Sequence, residues 1–316
     1  MSKAQQEAVD AALRARGVRS GTVAERRAGF EARIQPDDAG ALVPADVTLG
    51  GRPAIELSPV QPGTTGSGPA GPEAGTLLYL HGGGFVVGSH RTGVKLAAGL
   101  AARAGGLRAY SLDYRLAPEN PFPAAQLDAL AAYRDLLERG TAPDRIVIAG
   151  DSAGATLTVQ TLILARDAGL PLPAAAVLFS PFTDATASGR SMTTKHGIDP
   201  LFTRADLEWF RGQFLGNDPA AALAPLASPA LAGDLRGLPP ALIQVGSHEV
   251  LLDDAVRLAG RFGEADVDAT LEIVAGVPHV FQNFTGLLDE ADAALDRAGS
   301  FLAERIGARA GEPVAA

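Results

Sequence analysis

The chain has no cysteine, so disulfides, thiolate nucleophiles and cysteine-ligated metals are excluded from the start. Basic residues are also in short supply. With 27 Lys and Arg against 36 Asp and Glu, the net charge is −9 and the pI is near 5.1. A nucleic-acid or anionic-membrane partner would want a basic face, so neither is expected. No apolar run approaches the roughly 18 residues of a membrane span. The N-terminal segment scatters Lys3, Glu7, Asp10, Arg14 and Arg16 where a secretory signal would be apolar. A soluble, cytoplasmic protein is expected. What is present is a 47% apolar content over 316 residues, enough for a large core, as one big domain or as a domain with a smaller cap.

The densest information lies in Arg145 to Thr156, RIVIAGDSAGAT. A β-branched run, Ile146-Val147-Ile148, meets Gly150-Asp151-Ser152-Ala153-Gly154 and then a helical hydrophobic spacing. This is the strand, tight turn and helix that present an activated serine. Gly150 and Gly154 flank Ser152 because side chains there would collide as the strand doubles back. The helix N-terminus beneath the turn favours developing negative charge. Chance alone yields a G-x-S-x-G string about 0.2 times in such a chain. His81-Gly82-Gly83-Gly84-Phe85 is expected only about 0.01 times, and it follows the apolar strand Thr76 to Leu80. Its bare glycines can offer backbone N–H groups to an oxyanion. Nucleotide motifs do not fit: Gly88 is followed by Ser89-His90 where a P-loop needs Lys, and Val87 stands where a dinucleotide fingerprint needs its third glycine.

In chain order, residues 3 to 34 read as two amphipathic helices broken at Gly17 to Gly21, the second opened by a capping box at Thr22 and Glu25. Val47 to Leu49 and Ala54 to Leu57 read as an edge hairpin, and Gln61 to Gly75 as a surface loop. Strands then alternate with helices of ten or more residues, which requires right-handed crossovers and a mainly parallel sheet covered on both faces. Ser180 to Pro239 breaks that rhythm. It carries Leu201, Phe202, a helix capped by Thr203 and Asp206, and the aromatic set Trp209, Phe210 and Phe214, which is either core or a lid over the site. The strand Ala241 to Val245 leads to Gly246-Ser247-His248-Glu249-Val250. The last strand, Ala269 to Val274, leads to Gly276-Val277-Pro278-His279.

With HGGGF at 81–85, DYRLAPENPFPA at 113–124, GDSAG at 150–154 and the carboxylate and histidine loops in that order, the chain resembles the bacterial esterases of the hormone-sensitive lipase family. The resemblance runs through almost the whole length. It implies the α/β-hydrolase fold, a mainly parallel central sheet flanked by helices with a helical cap. The cap would take residues 1–45 and an insertion at 185–225; the core would take 46–184 and 226–316. It further implies a carboxylic ester hydrolase acting on a small-molecule ester, with no cofactor and no metal, and it leaves a homodimer through the last sheet strand open.

A serine hydroxyl needs a base and an orienting acid. In this fold His279, on the loop after the final strand, is the expected base, since His81 belongs to the glycine loop and His90, His196 and His248 have no strand end to place them. The family usually has Asp as the acid where this chain has Glu249. Glu249 follows closely on its strand, whereas Asp253 and Asp254 fall a turn later inside a helix, so Glu249 is preferred over Asp253. The oxyanion hole is assigned to the N–H groups of Gly83, Gly84 and Ala153, and the acyl pocket to Phe85, Leu201, Phe202 and Phe214. Asp151 is expected to point away from the elbow and make a structural hydrogen bond, and Asp113, Tyr114, Arg115 and Glu119 to brace the loops behind the oxyanion hole. Short- to medium-chain esters are expected. The alternatives are a lactone or amide hydrolase on the same triad, or a non-catalytic ligand-binding homologue like the gibberellin receptors, which lack the working histidine.

Overall fold

The computed structural model describes residues 3–15, 21–35, 38–59, 75–216 and 218–308. Most of the break at Gly17 to Gly21 and of the loop at Gln61 to Gly75 lies outside them. Two helices open the chain, α1 (Lys3–Ala15) and α2 (Val23–Glu31). The Thr22–Glu25 capping box forms: Thr22 Oγ1 accepts the Glu25 N–H, and Glu25 Oε2 accepts the Thr22 N–H at 2.7 Å.

The sheet holds β1 (Leu42–Leu49), β2 (Arg52–Pro59), β3 (Thr76–Leu80), β4 (Arg108–Leu112), β5 (Ile146–Asp151), β6 (Ala175–Phe179), β7 (Ala241–Gly246) and β8 (Ala269–Val274). Their order is β1-β2-β4-β3-β5-β6-β7-β8. β1 and β2 form the antiparallel edge hairpin, and β2 joins β4 antiparallel. From β4 through β8 every pairing is parallel.

Burial on both faces explains the uninterrupted apolar strands. Leu78, Leu80, Ile146, Ile148, Ala176 and Leu178 enter one cluster with helices α4 (Ala124–Glu138), α5 (Ala153–Asp167) and α10 (Leu252–Glu264). Leu77, Tyr79, Val147, Ala149, Val177 and Phe179 enter the other, with α3 (Val94–Arg103) and α11 (Asp289–Ala308). Alternate side chains of one strand thus fill two cores.

Between β6 and β7 the chain leaves the sheet for α6 (Ser191–Thr194), α7 (Arg204–Leu215), α8 (Pro219–Ala222) and α9 (Pro229–Ala232). The capping box at Thr203 and Asp206 opens α7. All parallel strands point their carboxyl ends the same way, which gathers the loops after β3, β5, β6, β7 and β8 at one rim.

Candidate active site

Ser152 sits between β5 and α5 with φ 54° and ψ −119°, a backbone conformation that a non-glycine residue holds only at a cost of about 1–3 kcal/mol. Its N–H donates to the Phe179 carbonyl at 2.8 Å. The flanking glycines are required by contact and not by φ. A Cβ on Gly154 would overlap the Leu80 carbonyl oxygen, and one on Gly150 would overlap the Gly154 backbone. The turn is therefore clamped between its own helix and β3.

Glu249 follows β7 closely and is fully buried. His279 lies on the loop after β8, and its Nδ1–H donates to Glu249 Oε2 at 2.7 Å. That bond fixes the tautomer and leaves Nε2 able to accept a proton. The other oxygen, Oε1, accepts the Gly246 N–H at 2.5 Å and the Ser180 hydroxyl at 2.7 Å. Asp253 is engaged elsewhere, accepting the Ser191 N–H at 3.2 Å. Asp254 is buried with Oδ2 accepting the N–H groups of Thr183 and Asp184, and burial drives its pKa well above the usual carboxylate range.

Ser180 is a residue the sequence reading missed. While its hydroxyl donates to Glu249, its Oγ accepts the Val280 N–H at 3.0 Å, so one fully buried side chain joins the acid loop to the histidine loop. It too is left-handed, with φ 47°, as is Val280 at 48°. The available signal was position: a small polar residue directly after β6, at the rim where α/β sites assemble.

In the glycine loop the Gly82 N–H is taken by Asp151 Oδ1 at 3.0 Å, and the same oxygen accepts the Tyr79 hydroxyl at 2.7 Å. Asp151 therefore braces the elbow against the loop. Burial raises its pKa, and the two donors and nearby His279 oppose that shift. Among the described residues no acceptor takes the N–H groups of Gly83 and Gly84, whose φ values of 122° and 62° a side chain would rarely adopt. Ala153 opens α5, where N–H groups have no partner within the helix. His81 is buried and stacks on Tyr114 at 4.2 Å, and its Nδ1–H donates to the Gly82 carbonyl. Burial lowers its pKa to about 4, so it is neutral at physiological pH. The Tyr114 hydroxyl donates to the His81 carbonyl at 2.7 Å. Asp113 pairs with His90, Arg115 with Asp128 and Glu119 with Arg27.

Ser152 and His279 line one cavity of about 750 Å³, together with Gly83, Gly84, Leu201 and Phe202. The Phe202 ring meets His279 edge-on at 5.1 Å. Phe85 and Phe214, expected on the pocket wall, are not there. Positive φ at Phe85 (63°) accompanies a ring turned into the core, where it stacks on Phe214 at 4.0 Å with both residues buried. Phe210 lines the cavity instead, its ring so close to Gly84 that a Cβ there would overlap it. Among the described residues Ser152 Oγ makes no hydrogen bond.

A second missed residue, Asp199, ties the cavity wall to the acid loop. Oδ1 accepts the N–H groups of Leu201 and Phe202, and Oδ2 accepts the Val250 N–H at 2.8 Å. Burial lifts its pKa to about 6 against the pull of those three donors. No local sequence motif announces this contact across 51 positions. Among the described residues there is no cluster of His, Asp and Glu able to hold a metal ion, and no helix long and apolar enough to cross a membrane.

The profile of the α/β-hydrolase fold family matches residues 77–283. An acetyl-hydrolase of Streptomyces hygroscopicus is 42% identical over 290 residues, covering 92% of each chain. An ethyl acetate hydrolase of Pseudomonas putida is 37% identical over 224 residues, 69% of this chain and 70% of that one. Among solved structures, an esterase from the bacterial hormone-sensitive lipase family is 40% identical and superposes with a TM-score of 0.88 over 97% of this chain and all of that one (100%).

Proposed function

The chain belongs to the bacterial hormone-sensitive lipase family of α/β hydrolases, and on that footing we propose that it hydrolyses carboxylic esters through the triad Ser152, His279 and Glu249. One observation carries the assignment: the imidazole held by Glu249 at 2.7 Å opens on the cavity that Ser152 lines. His279 Nε2 takes the Ser152 proton as Oγ attacks the ester carbonyl. Glu249 steadies the imidazolium. The oxyanion is received by the N–H groups of Gly83, Gly84 and Ala153, each such donor contributing about 2.7–4 kcal/mol in comparable sites. The imidazolium then protonates the leaving alcohol, and the same base activates water to free the acid from the acyl-enzyme.

Residues 1–45 and 185–225 act as a two-part cap over the core formed by 46–184 and 226–316. This reading rests on cavity walls drawn from α2 and from Leu201 to Phe210. Leu201 and Phe202 contact the acyl group. The names of two relatives, an acetyl-hydrolase and an ethyl acetate hydrolase, support short acyl groups, and the cavity volume leaves room for medium ones. We place the enzyme in the cytoplasm, acting on dissolved esters, with a homodimer through β8 as its assembly.

Ser152→Ala tests the proposal. Hydrolysis of p-nitrophenyl butyrate is expected to fall about 10⁶-fold in kcat, and turnover at the wild-type rate would overturn the assignment.

A further inference from the structure

Among the described residues, three cationic side chains line the cavity: Arg26, Arg33 and Lys95. Lys95 donates to the Asn283 carbonyl at 2.8 Å, and Arg33 stands over the Phe30 ring. Arg26 differs from both. Its guanidinium lies 3.9 Å above the ring of Trp209, and its Nε and Nη1 are closed off from solvent with no hydrogen-bond acceptor among the described residues. The next residue on α2 shows what a satisfied arginine looks like here. Arg27 clamps both oxygens of Glu119 and also reaches the carbonyls of Val86 and Ala117. The carboxylates on the cavity wall are committed elsewhere. Asp151 holds Tyr79 and Gly82, Asp38 accepts the Gln35 N–H, and Glu25 caps its own helix at Thr22.

A guanidinium that has lost part of its water and gained no acceptor is an unfavourable arrangement, and an incoming anion relieves it. Stacking on an indole leaves the edge of the planar cation as the natural place for a carboxylate, which two N–H groups can hold side by side. We propose that Arg26 is a specificity-determining residue that receives the carboxylate of an anionic ester substrate. The proposal rests on the ester hydrolysis assigned above and names its substrate class. Trp209 packs on Phe210 at 5.0 Å, and Phe210 lies against Gly84, so two side chains separate the guanidinium from the oxyanion loop. The carboxylate therefore stands several bonds from the scissile carbonyl. To reach it, the guanidinium must slide out along the Trp209 face, which gives the motion a reporter, because Trp209 is the only tryptophan in the chain.

Two measurements test this. Suberate, a dicarboxylate, is titrated into the Ser152→Ala protein while Trp209 fluorescence is followed, with neutral suberamide as control. A saturable change with suberate, absent with suberamide and lost in Ser152→Ala/Arg26→Gln, supports the site; no change, or the same change without Arg26, overturns it. The second measurement is the ratio of kcat/KM for p-nitrophenyl monosuberate to that for p-nitrophenyl octanoate. Arg26→Gln is expected to lower this ratio about tenfold, with Arg26→Lys keeping part of it. A parallel pair, the acetate esters of ω-hydroxyhexanoate and of hexanol, shows whether the carboxylate belongs on the acyl or the alcohol side. Ratios unchanged in both pairs overturn the proposal. If neither ester is hydrolysed while suberate still perturbs Trp209, the ester assignment has failed and the anion site stands.

Discussion

The loops at the carboxyl rim of the sheet and the elements that cover them are built on opposite terms. At the rim, Glu249 is fully buried, His279 nearly so, and each polar group of the acid has a named donor. In the cover, α2 has no buried residue, and α7 buries only Leu207, Phe210 and Phe214. The contrast teaches which kind of change each region tolerates. Buried, fully partnered groups lose a great deal when one partner goes, while half-exposed walls adjust. On the proposed assignment, chemistry is fixed at the rim and substrate choice is adjustable in the cover.

The largest break in that comparison is expected at the acid. Glu249→Gln keeps the shape but leaves the imidazole without its anionic partner, and kcat on p-nitrophenyl butyrate should fall roughly 10⁴-fold. Asp253→Asn, which disturbs only the Ser191 N–H contact, should cost far less. A larger loss in the second variant would mean that the acid is misassigned.

Asp199 lies where the two regions meet, and its effect is on stability. Burial raises its pKa to about 6, so the folded protein holds this proton more tightly than the unfolded chain. Its contribution is thus full below the unfolded value of about 4 and is lost as pH rises through about 6. Asp199→Asn imitates the protonated form. Urea unfolding at pH 4 and pH 7.5 should show the variant gaining about 3 kcal/mol on the wild type at the higher pH. A difference that does not change with pH would show that burial does not hold a proton on this carboxylate.

A smaller effect is expected at Ser180. Ser180→Ala leaves Gly246 as the remaining donor to Glu249 Oε1 and releases the Val280 N–H. A tenfold fall in kcat, about 1.4 kcal/mol, with KM changing less, would mark it as a positioning residue. A change confined to KM would move it to the side of the cover.

How much was legible beforehand follows the same division. The elbow, the glycine loop and the parallel sheet could be read because local spacing encodes them: strand, glycine, turn, helix. The loops carrying Glu249 and His279 were singled out by the family resemblance. Ser180 and Asp199 were not read, since each acts across 51 or more positions through a hydrogen bond that leaves no periodic trace, and only the place of Ser180 directly after β6 hinted at its role. Phe85 and Phe214 were misplaced for a related reason. Phe85 follows the glycine loop directly and Phe214 lies in the aromatic insertion on α7, and only the backbone turn at Phe85 sends its ring into the core against Phe214 instead of into the cavity. Motifs name the chemistry, but side-chain direction at a turn depends on the packing around it.

The central claim is that Ser152 becomes a nucleophile because His279 accepts its proton. Labelling with a p-nitrophenyl alkylphosphonate, followed by peptide mass mapping, tests it most directly. The account predicts one phosphonyl group per chain, on Ser152, with the rate of labelling collapsing in His279→Ala. Label on another residue, or labelling of Ser152 at an undiminished rate without the imidazole, would contradict it.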